Sequence, residues 1–185
     1  MKFEIIDTKI DGLVVIKPKI FGDERGFFLE TYNKEEFNKI GLDMEFIQDN
    51  HSKSKIGVLR GLHFQLRYPQ GKLVRVTRGK VWDVAVDLRK DSTTYKKWFG
   101  VELSADNKKM FYIPEGFAHG FLTLEDDTEF QYKCTNLYYP EFDSGIRYDD
   151  TEIKIEWPKL DEYILSEKDK QLKYLIDHKE LFWVI

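Results

Sequence analysis

Short apolar runs separated by turn residues recur along most of the chain and predict a protein built mainly of β-strands. The runs are rich in β-branched and aromatic residues, and they are bounded by Gly79 and by the turn segments 114–116 and 125–127. They occupy residues 13–20, 27–32, 73–77, 80–88, 99–103, 109–113, 120–124 and 129–135. Many short strands with turn signals between them are typical of a β-sandwich or barrel.

Alternation of side chains is clearest in residues 80–88. One face of this predicted strand carries Trp82, Val84, Val86 and Leu88. The other face carries Val81, Asp83, Ala85 and Asp87. An isolated buried carboxylate is costly, so the second face must meet either solvent or a polar interior cavity.

Helical signals are weaker and confined to two places. Residues 34–40 predict a short helix that ends at Gly41, a residue favoured just past a helix end. Residues 166–169, followed by 171–178, predict a helix near the C-terminus with Ser166 as its cap. The fold class expected is therefore mainly β, a jelly-roll barrel with a few short helices. Such a fold protects strand edges and can enclose a ligand cavity.

Composition narrows the classes of protein that this chain can belong to. A length of 185 residues suits one domain, residues 1–185. The content of hydrophobic residues is 42% and that of aromatic residues is 15%, which excludes a disordered chain. The net charge of −4 argues against nucleic-acid binding. We expect no membrane span and no signal peptide. Because Cys134 is the single cysteine, no internal disulfide can form, and a reduced cytoplasmic compartment fits best.

Two clusters carry the candidate chemistry. The first, residues 57–65, places His63 and Gln65 on one face if the strand is regular, with Arg60, Leu62 and Phe64 on the other. The second cluster, residues 114–120, is a predicted turn that contains His119 and leads into the next strand. Together they resemble the two motifs of the cupin superfamily, whose jelly-roll barrels commonly hold a metal through His-x-His, a Glu and a second-motif His.

The metal ligands of that superfamily are incomplete here. Gln65 stands in place of the second histidine, and no glutamate follows at the expected position. A stable transition-metal site generally needs three or more suitable protein ligands, and His63 with His119 supplies only two. We therefore expect neither a metal nor a cofactor.

Without a metal, His63 is a candidate general base, since its ordinary pKa of about 6.5 lets it accept a proton near neutrality. The alternative is an interior histidine with a satisfied hydrogen bond. Arg60 and Lys72 flank it in sequence and favour an anionic ligand or intermediate, while Arg25 lies either with them or in a solvated turn. Tyr132 is either a core tyrosine or a proton donor.

Longer blocks of sequence resemble one family, dTDP-4-dehydrorhamnose 3,5-epimerase. The blocks are residues 21–30, 48–50, 59–65, 70–75 and 113–121, extended by 132–136 and 155–158. They run in order along nearly the whole chain. The resemblance implies inversion of carbons 3 and 5 of dTDP-4-dehydro-6-deoxy-D-glucose through an enolate, giving dTDP-4-dehydro-L-rhamnose in dTDP-L-rhamnose biosynthesis.

The resemblance also implies catalytic roles. His63 would abstract each proton, Lys72 would stabilise the enolate oxygen, and Tyr132 would reprotonate from the opposite face. A carboxylate near the C-terminus orients the histidine in this family. By position it is Asp169, although Asp83 is a rival because its strand can point it into the same cavity.

Substrate-binding roles follow from the same resemblance. Arg25, Arg60 and His119, with Lys168, would bind the diphosphate. Gln48, Asn50 and Glu30 would hold the base and its surroundings, and Tyr138 would stack on thymine. The segment 140–145 departs from some relatives, which carry Glu where this chain has Asp143. A homodimer is implied, with residues 21–32 as the segment that would reach the partner's site.

Two other functions remain open at the level of sequence. One is an enzyme that inverts a single carbon or acts on another nucleotide's 4-keto sugar. His63, Lys72 and Tyr132 would serve equally in such an enzyme. The other is a non-catalytic cupin that binds a sugar nucleotide, which would be expected to lack the base or the acid.

Overall fold

A computed structural model describes residues 1–178 and confirms the mainly β fold class. Its thirteen strands form two antiparallel sheets and one separate hairpin. The strands are β1 Phe3–Asp7, β2 Val14–Pro18, β3 Ile20–Asp23, β4 Gly26–Leu29, β5 Gln48–Ser54, β6 Leu59–Gln65, β7 Lys72–Arg78, β8 Lys80–Asp87, β9 Trp98–Ser104, β10 Met110–Ile113, β11 Phe117–Thr123, β12 Thr128–Cys134 and β13 Asp143–Gly145.

The two sheets face each other, as in a jelly roll. One has the strand order β1-β2-β10-β7-β12-β5 and the other β13-β6-β11-β8-β9, while β3 and β4 form the hairpin. The main core lies between the sheets, because buried side chains from both meet there. Phe111 and Phe130 come from the six-stranded sheet, and Phe117, Phe121 and Leu103 from the five-stranded sheet.

Each sheet is also covered on its outer face. Against the six-stranded sheet, Phe37 of helix α1, Lys34–Lys39, packs on Phe3 and Ile16. Against the five-stranded sheet, the segment after β13 packs Ile146 and Leu175 on a second apolar cluster. Burial of apolar surface on both sides of both sheets stabilises the four-layer arrangement.

Strand β8 has the two faces that its sequence predicts. Val84, Val86 and Leu88 belong to the outer cluster, and Trp82 packs against it. Val81 and Ala85 belong to the core between the sheets, on the same side as the fully buried Asp83. The carboxylate of Asp83 therefore points into the interior rather than into solvent.

Several predicted boundaries are wrong. The run 13–20 divides at Lys19, since β2 ends at Pro18, its last residue paired with β1, and β3 begins at Ile20 and turns into the hairpin. The run 27–32 stops at Leu29, and the strand expected at 120–124 already begins at Phe117. Apolar periodicity did not predict the polar strand β5, which pairs along its whole length with β12.

The helices differ less at their starts than at their ends. Helix α1 ends before Gly41, as predicted. Ser166 caps α2, Glu167–Lys170, by accepting a hydrogen bond from the Asp169 amide. The expected continuation over 171–178 is wrong, because Lys173 forms a parallel bridge with Ile146 and only a 3-10 turn, Leu175–Asp177, follows. No helix within residues 1–178 has the length and apolarity to span a bilayer.

The face assigned to Arg60 is also wrong. The pairing of β6 with β11 shifts register between His119↔His63 and Phe121↔Arg60, so one extra residue of β6 is accommodated there. Gly61 permits this because its φ is +122° and a Cβ at this position would lie 2.5 Å from Gly120 Cα. Leu62 and Phe64 stay on the outer face, while Arg60 shares the face of Phe121, remains exposed and donates to Ser54 Oγ of β5, 3.1 Å away.

Candidate active site

Strand register brings Lys72 and Tyr132 onto the inner face of the six-stranded sheet. Residues directly opposite each other in neighbouring strands project from the same face. Cys134 is opposite both Lys72 and Gln48, and Tyr132 is opposite Asn50. This face therefore presents a cation, a phenol and two amides to the space between the sheets.

The five-stranded sheet forms the facing wall, and it places His63 and His119 side by side on neighbouring strands. His63 of β6 pairs in register with His119 of β11, and Phe121 of β11 pairs with both Asp83 and Arg60. The rings of Phe121 and Phe130 stack across the sheets with centroids 4.1 Å apart. Both rings belong to the apolar core between the sheets, against which Tyr132 also packs.

His63 is held by Asp169, which reaches it from helix α2. His63 Nε2 lies 2.6 Å from Asp169 Oδ1, and the second oxygen of Asp169 accepts a hydrogen bond of 2.9 Å from Ser166 Oγ. Burial tends to raise the pKa of Asp169, but hydrogen bonds from His63 and Ser166 hold that pKa below its ordinary value. Since an ionised carboxylate only accepts, Nε2 carries a proton and Nδ1 is left to accept one.

Asp83, the rival partner, pairs instead with His119. His119 Nε2 lies 2.9 Å and 3.1 Å from the two oxygens of Asp83. Both side chains are buried, and burial raises the pKa of Asp83 and lowers the pKa of His119. The positive charge of Lys72 also lowers the pKa of His119, so the two sheets are in electrostatic contact across the cavity.

Lys72 and Tyr132 have the protonation properties that the expected chemistry needs. Within residues 1–178, Lys72 has no ion pair with a carboxylate, and burial lowers the pKa of its amine. Burial raises the pKa of Tyr132, which keeps its phenol protonated near neutrality. Lys72 thus has no ion-pair partner among these residues, and the phenol of Tyr132 retains a proton that it can donate.

Polar residues of the β12–β13 connection and of α2 line the mouth of the cavity. The Tyr138 hydroxyl donates to Asp143 Oδ2 over 2.7 Å, which raises the pKa of Tyr138 to about 12. Lys168 forms an ion pair with the same oxygen. Gln48 Oε1 accepts from the Tyr138 amide at 2.8 Å, and Asn50 Nδ2 donates to Cys134 Sγ at 3.6 Å.

Two of the expected binding residues lie elsewhere in the same chain. Arg25 is at the tip of the β3–β4 hairpin, where its side chain is 85% exposed and pairs with Asp23. Glu30 forms an ion pair with Lys2 at 2.8 Å. Neither has a hydrogen bond or ion pair with any residue that lines the cavity within the described chain.

Sequence reasoning missed two contributors to this site. Ser166 was predicted only as a helix cap, yet its hydroxyl also donates to Asp169; the Ser-x-x-Asp spacing is the signal that could have revealed it. Gln65 was considered only as a missing metal ligand, yet its amide binds the β12–β13 connection. In the part of the chain described, no three His, Cys, Asp or Glu side chains gather as a metal site would require.

Comparison with known proteins gives a consistent set of relatives. The family model for dTDP-4-dehydrorhamnose 3,5-epimerase matches residues 7–177. The dTDP-4-dehydrorhamnose 3,5-epimerase of Methanothermobacter thermautotrophicus is 56% identical over 176 residues, which are 94% of this chain and 95% of that protein.

Solved structures agree with the sequence comparison. The dTDP-6-deoxy-D-glucose-3,5-epimerase of Legionella pneumophila, in complex with dTDP-4-keto-L-rhamnose, superposes with a TM-score of 0.93 at 49% identity and covers 97% of this chain and 96% of that one. A 3'-monoepimerase of Streptomyces bikiniensis, in complex with dTDP-quinovose, is more distant. Its TM-score is 0.85 at 32% identity, covering 91% and 86% of the two chains.

Proposed function

This chain belongs to the dTDP-4-dehydrorhamnose 3,5-epimerase family, and we propose that the cavity between its two sheets carries out the family's reaction with His63 as the base. The reaction converts dTDP-4-dehydro-6-deoxy-D-glucose into dTDP-4-dehydro-L-rhamnose by inverting carbons 3 and 5. One observation carries the proposal. His63 of the five-stranded sheet, hydrogen-bonded to Asp169 of helix α2, faces Lys72 and Tyr132 of the six-stranded sheet.

Each inversion needs a base, an electrostatic partner and an acid on the opposite face. Carbons 3 and 5 are both α to the carbon 4 ketone, so removal of either proton leaves an enolate. Nδ1 of His63 takes the proton, while Asp169 stabilises the imidazolium that forms. Lys72 stabilises the enolate oxygen, a contribution that is often the largest in such catalysis. Tyr132 then returns a proton from the other side, which inverts the carbon.

Substrate binding follows from the charges and amides at the cavity mouth. Arg60, His119 and Lys168 would bind the diphosphate, for which Lys168 would exchange Asp143 for phosphate. Gln48 and Asn50 would hold the base and its surroundings, and the Tyr138 ring, 48% exposed, would stack on thymine. We propose no metal or cofactor for this reaction.

Arg25 and Glu30 complete the site only if a second subunit supplies them, and we propose a homodimer for this reason. The β3–β4 hairpin exposes Phe27 and Phe28 at 62% and 67%, an apolar surface that a partner would cover. Arg25 at its tip would then reach the diphosphate of the neighbouring site. A cytoplasmic location is also proposed, on the basis of the single buried thiol of Cys134.

The reaction is tested by incubating the protein with dTDP-4-dehydro-6-deoxy-D-glucose in deuterated water and following deuterium at carbons 3 and 5. We expect incorporation at both carbons, unaffected by a chelator and abolished in His63→Ala. Incorporation at carbon 3 alone would make the chain a mono-epimerase, like its more distant Streptomyces relative. Incorporation at neither carbon would leave only a sugar-nucleotide-binding role.

The shared site is tested by complementation between two inactive variants, Arg25→Ala and His63→Ala. In a mixed dimer, the subunit that keeps His63 receives the intact Arg25 of the partner subunit. Unfolding and refolding the two variants together should therefore restore about a quarter of the native activity. Lack of recovery, with mixed dimers demonstrated by mass, would place Arg25 outside the partner's site.

A further inference from the structure

Gln65, the last residue of β6, uses its whole side-chain amide to hold the chain on both sides of Tyr138. Its Nε2 donates to the carbonyl oxygens of Leu137 and Tyr68, at 3.2 Å and 2.7 Å. Its Oε1 accepts from the Tyr139 amide at 2.7 Å. The side chain is only 3% exposed, so these hydrogen bonds are protected from competing water.

The segment held in this way has left the sheet. Strand β12 ends at Cys134, and β13 does not begin until Asp143. Because no neighbouring strand pairs with residues 137–139, their backbone groups need other partners. Gln65 binds the groups before and after Tyr138, and Gln48 binds the Tyr138 amide itself at 2.8 Å.

The same residue also aligns the group that holds the far end of the tyrosine ring. Gln65 is directly opposite Asp143 in the pairing of β6 with β13. Asp143 Oδ2 accepts the hydrogen bond of the Tyr138 hydroxyl at 2.7 Å. The side chain of Gln65 therefore places the backbone of Tyr138. The main-chain pairing of Gln65 with Asp143 places the carboxylate that accepts from the Tyr138 hydroxyl.

Only an amide satisfies this arrangement. Two carbonyl oxygens require donors, and one N–H requires an acceptor at the same point. A glutamate would present lone pairs to both carbonyls, and an apolar side chain of similar volume would leave all three backbone groups without this partner.

We propose that Gln65 is a positioning residue that fixes the Tyr138 ring as a rigid platform for the nucleobase. This inference rests on the proposed function, since it takes Tyr138 to stack on the base. A platform that is already ordered before binding loses less entropy when the base arrives, and so binds it more tightly. Gln65 thereby raises affinity for the base and leaves contacts with the diphosphate unchanged.

The experiment measures calorimetric affinity for dTDP and for pyrophosphate, which lacks the base, in the full chain. Gln65→Met removes the three hydrogen bonds at similar volume and is expected to weaken dTDP binding about tenfold, with pyrophosphate binding unchanged. Tyr138→Leu should have a similar effect. If Gln65 acts through Tyr138, the variant that carries both substitutions should bind dTDP with no lower affinity than the single variant whose affinity is lower.

Gln70→Met is the matched control, since Gln70 Nε2 donates to the Asn136 carbonyl at 2.8 Å but does not flank Tyr138. We expect a smaller loss of dTDP affinity in this variant. Additive losses in the double variant, equal losses for dTDP and pyrophosphate, or an equal effect of Gln70→Met would each overturn the proposal. Gln65→Asn, which withdraws the amide by one methylene, replaces Gln65→Met if the latter does not fold.

These outcomes are independent of the reaction itself. dTDP binding is measured without turnover, so a failure of the platform proposal would leave deuterium incorporation by the native protein intact. Conversely, a protein that bound dTDP through this platform but incorporated no deuterium would refute the epimerase reaction alone.

Discussion

His63 Nε2 and Asp169 Oδ1 lie 2.6 Å apart, although 106 positions separate the two residues in the sequence. The histidine comes from the middle of a sheet strand and the aspartate from a single-turn helix that packs beside it. Asp169 is 4% exposed and His63 28%, so the carboxylate is shielded while the imidazole stays open to the cavity. This is the arrangement that a general base with a fixed tautomer requires.

Replacing Asp169 by Asn should lower kcat about 10²- to 10⁴-fold with little change in KM. The amide cannot stabilise the imidazolium, and it can leave the proton on the wrong ring nitrogen. The rate of deuterium incorporation into the sugar measures the loss of kcat. Asp161→Asn, an exposed position, is the control and should behave as the native protein does. Native kcat in Asp169→Asn would show that His63 needs no carboxylate.

Replacing Ser166 by Ala should shift the acid limb of kcat to higher pH. The Ser166 hydroxyl lowers the pKa of Asp169, so its removal raises that pKa, and the carboxylate becomes protonated sooner as pH falls. His63 and Lys168, the titratable groups that act on Asp169, remain in place. The same change also removes a helix cap worth about 1 kcal/mol of folding stability.

Ser166→Thr keeps the hydroxyl and should restore the native acid limb. A loss of thermal stability in Ser166→Ala without any shift of the pH profile would reduce Ser166 to a structural cap. The comparison therefore separates the two hydrogen bonds that this residue makes.

Activity should fall on the alkaline side below the ordinary lysine pKa of 10.5. In the proposed mechanism Lys72 must be charged to stabilise the enolate. Burial lowers its pKa, and the charge is lost as pH rises through that lowered pKa. Tyr132 must also keep its proton in this mechanism. Because burial raises the pKa of Tyr132, the loss of activity caused by its deprotonation should lie at higher pH than the loss caused by Lys72. A profile of kcat against pH measures the limb.

Lys72→Arg offers a direct check, because a guanidinium stays charged throughout this range. The variant should be slower than the native enzyme, since the donor geometry differs, but its alkaline limb should be absent up to the titration of Tyr132. A limb at the native position would assign the alkaline loss to another group.

Asp83→Ala should destabilise the fold by about 1–3 kcal/mol, since it leaves the buried N–H of His119 without its acceptor. Asp83→Asn keeps an oxygen within reach of the imidazole and should cost considerably less. Denaturant unfolding measures both values. Equal losses in the two variants would mean that packing, and not the hydrogen bond to His119, accounts for the burial of Asp83.

Much of the architecture could be inferred from local pattern. Residues 80–88 alternate because successive side chains of a strand point to opposite faces, and the structure keeps both predicted faces. The starts of both helices were also readable, since a cap depends on residues three positions apart. Strand β5 was not readable, because its seven residues are polar and its pairing with β12 alone makes it a strand.

Sequence alone therefore determined the mainly β class, the faces of regular strands and, through family resemblance, the residues proposed for the site. Only the tertiary structure decided that Asp169 pairs with His63 and Asp83 with His119, and that the register shift at Gly61 puts Arg60 opposite Phe121. The reason is physical. Alternation and capping are set by neighbours along the chain, whereas these pairings depend on how strands far apart in sequence come into register.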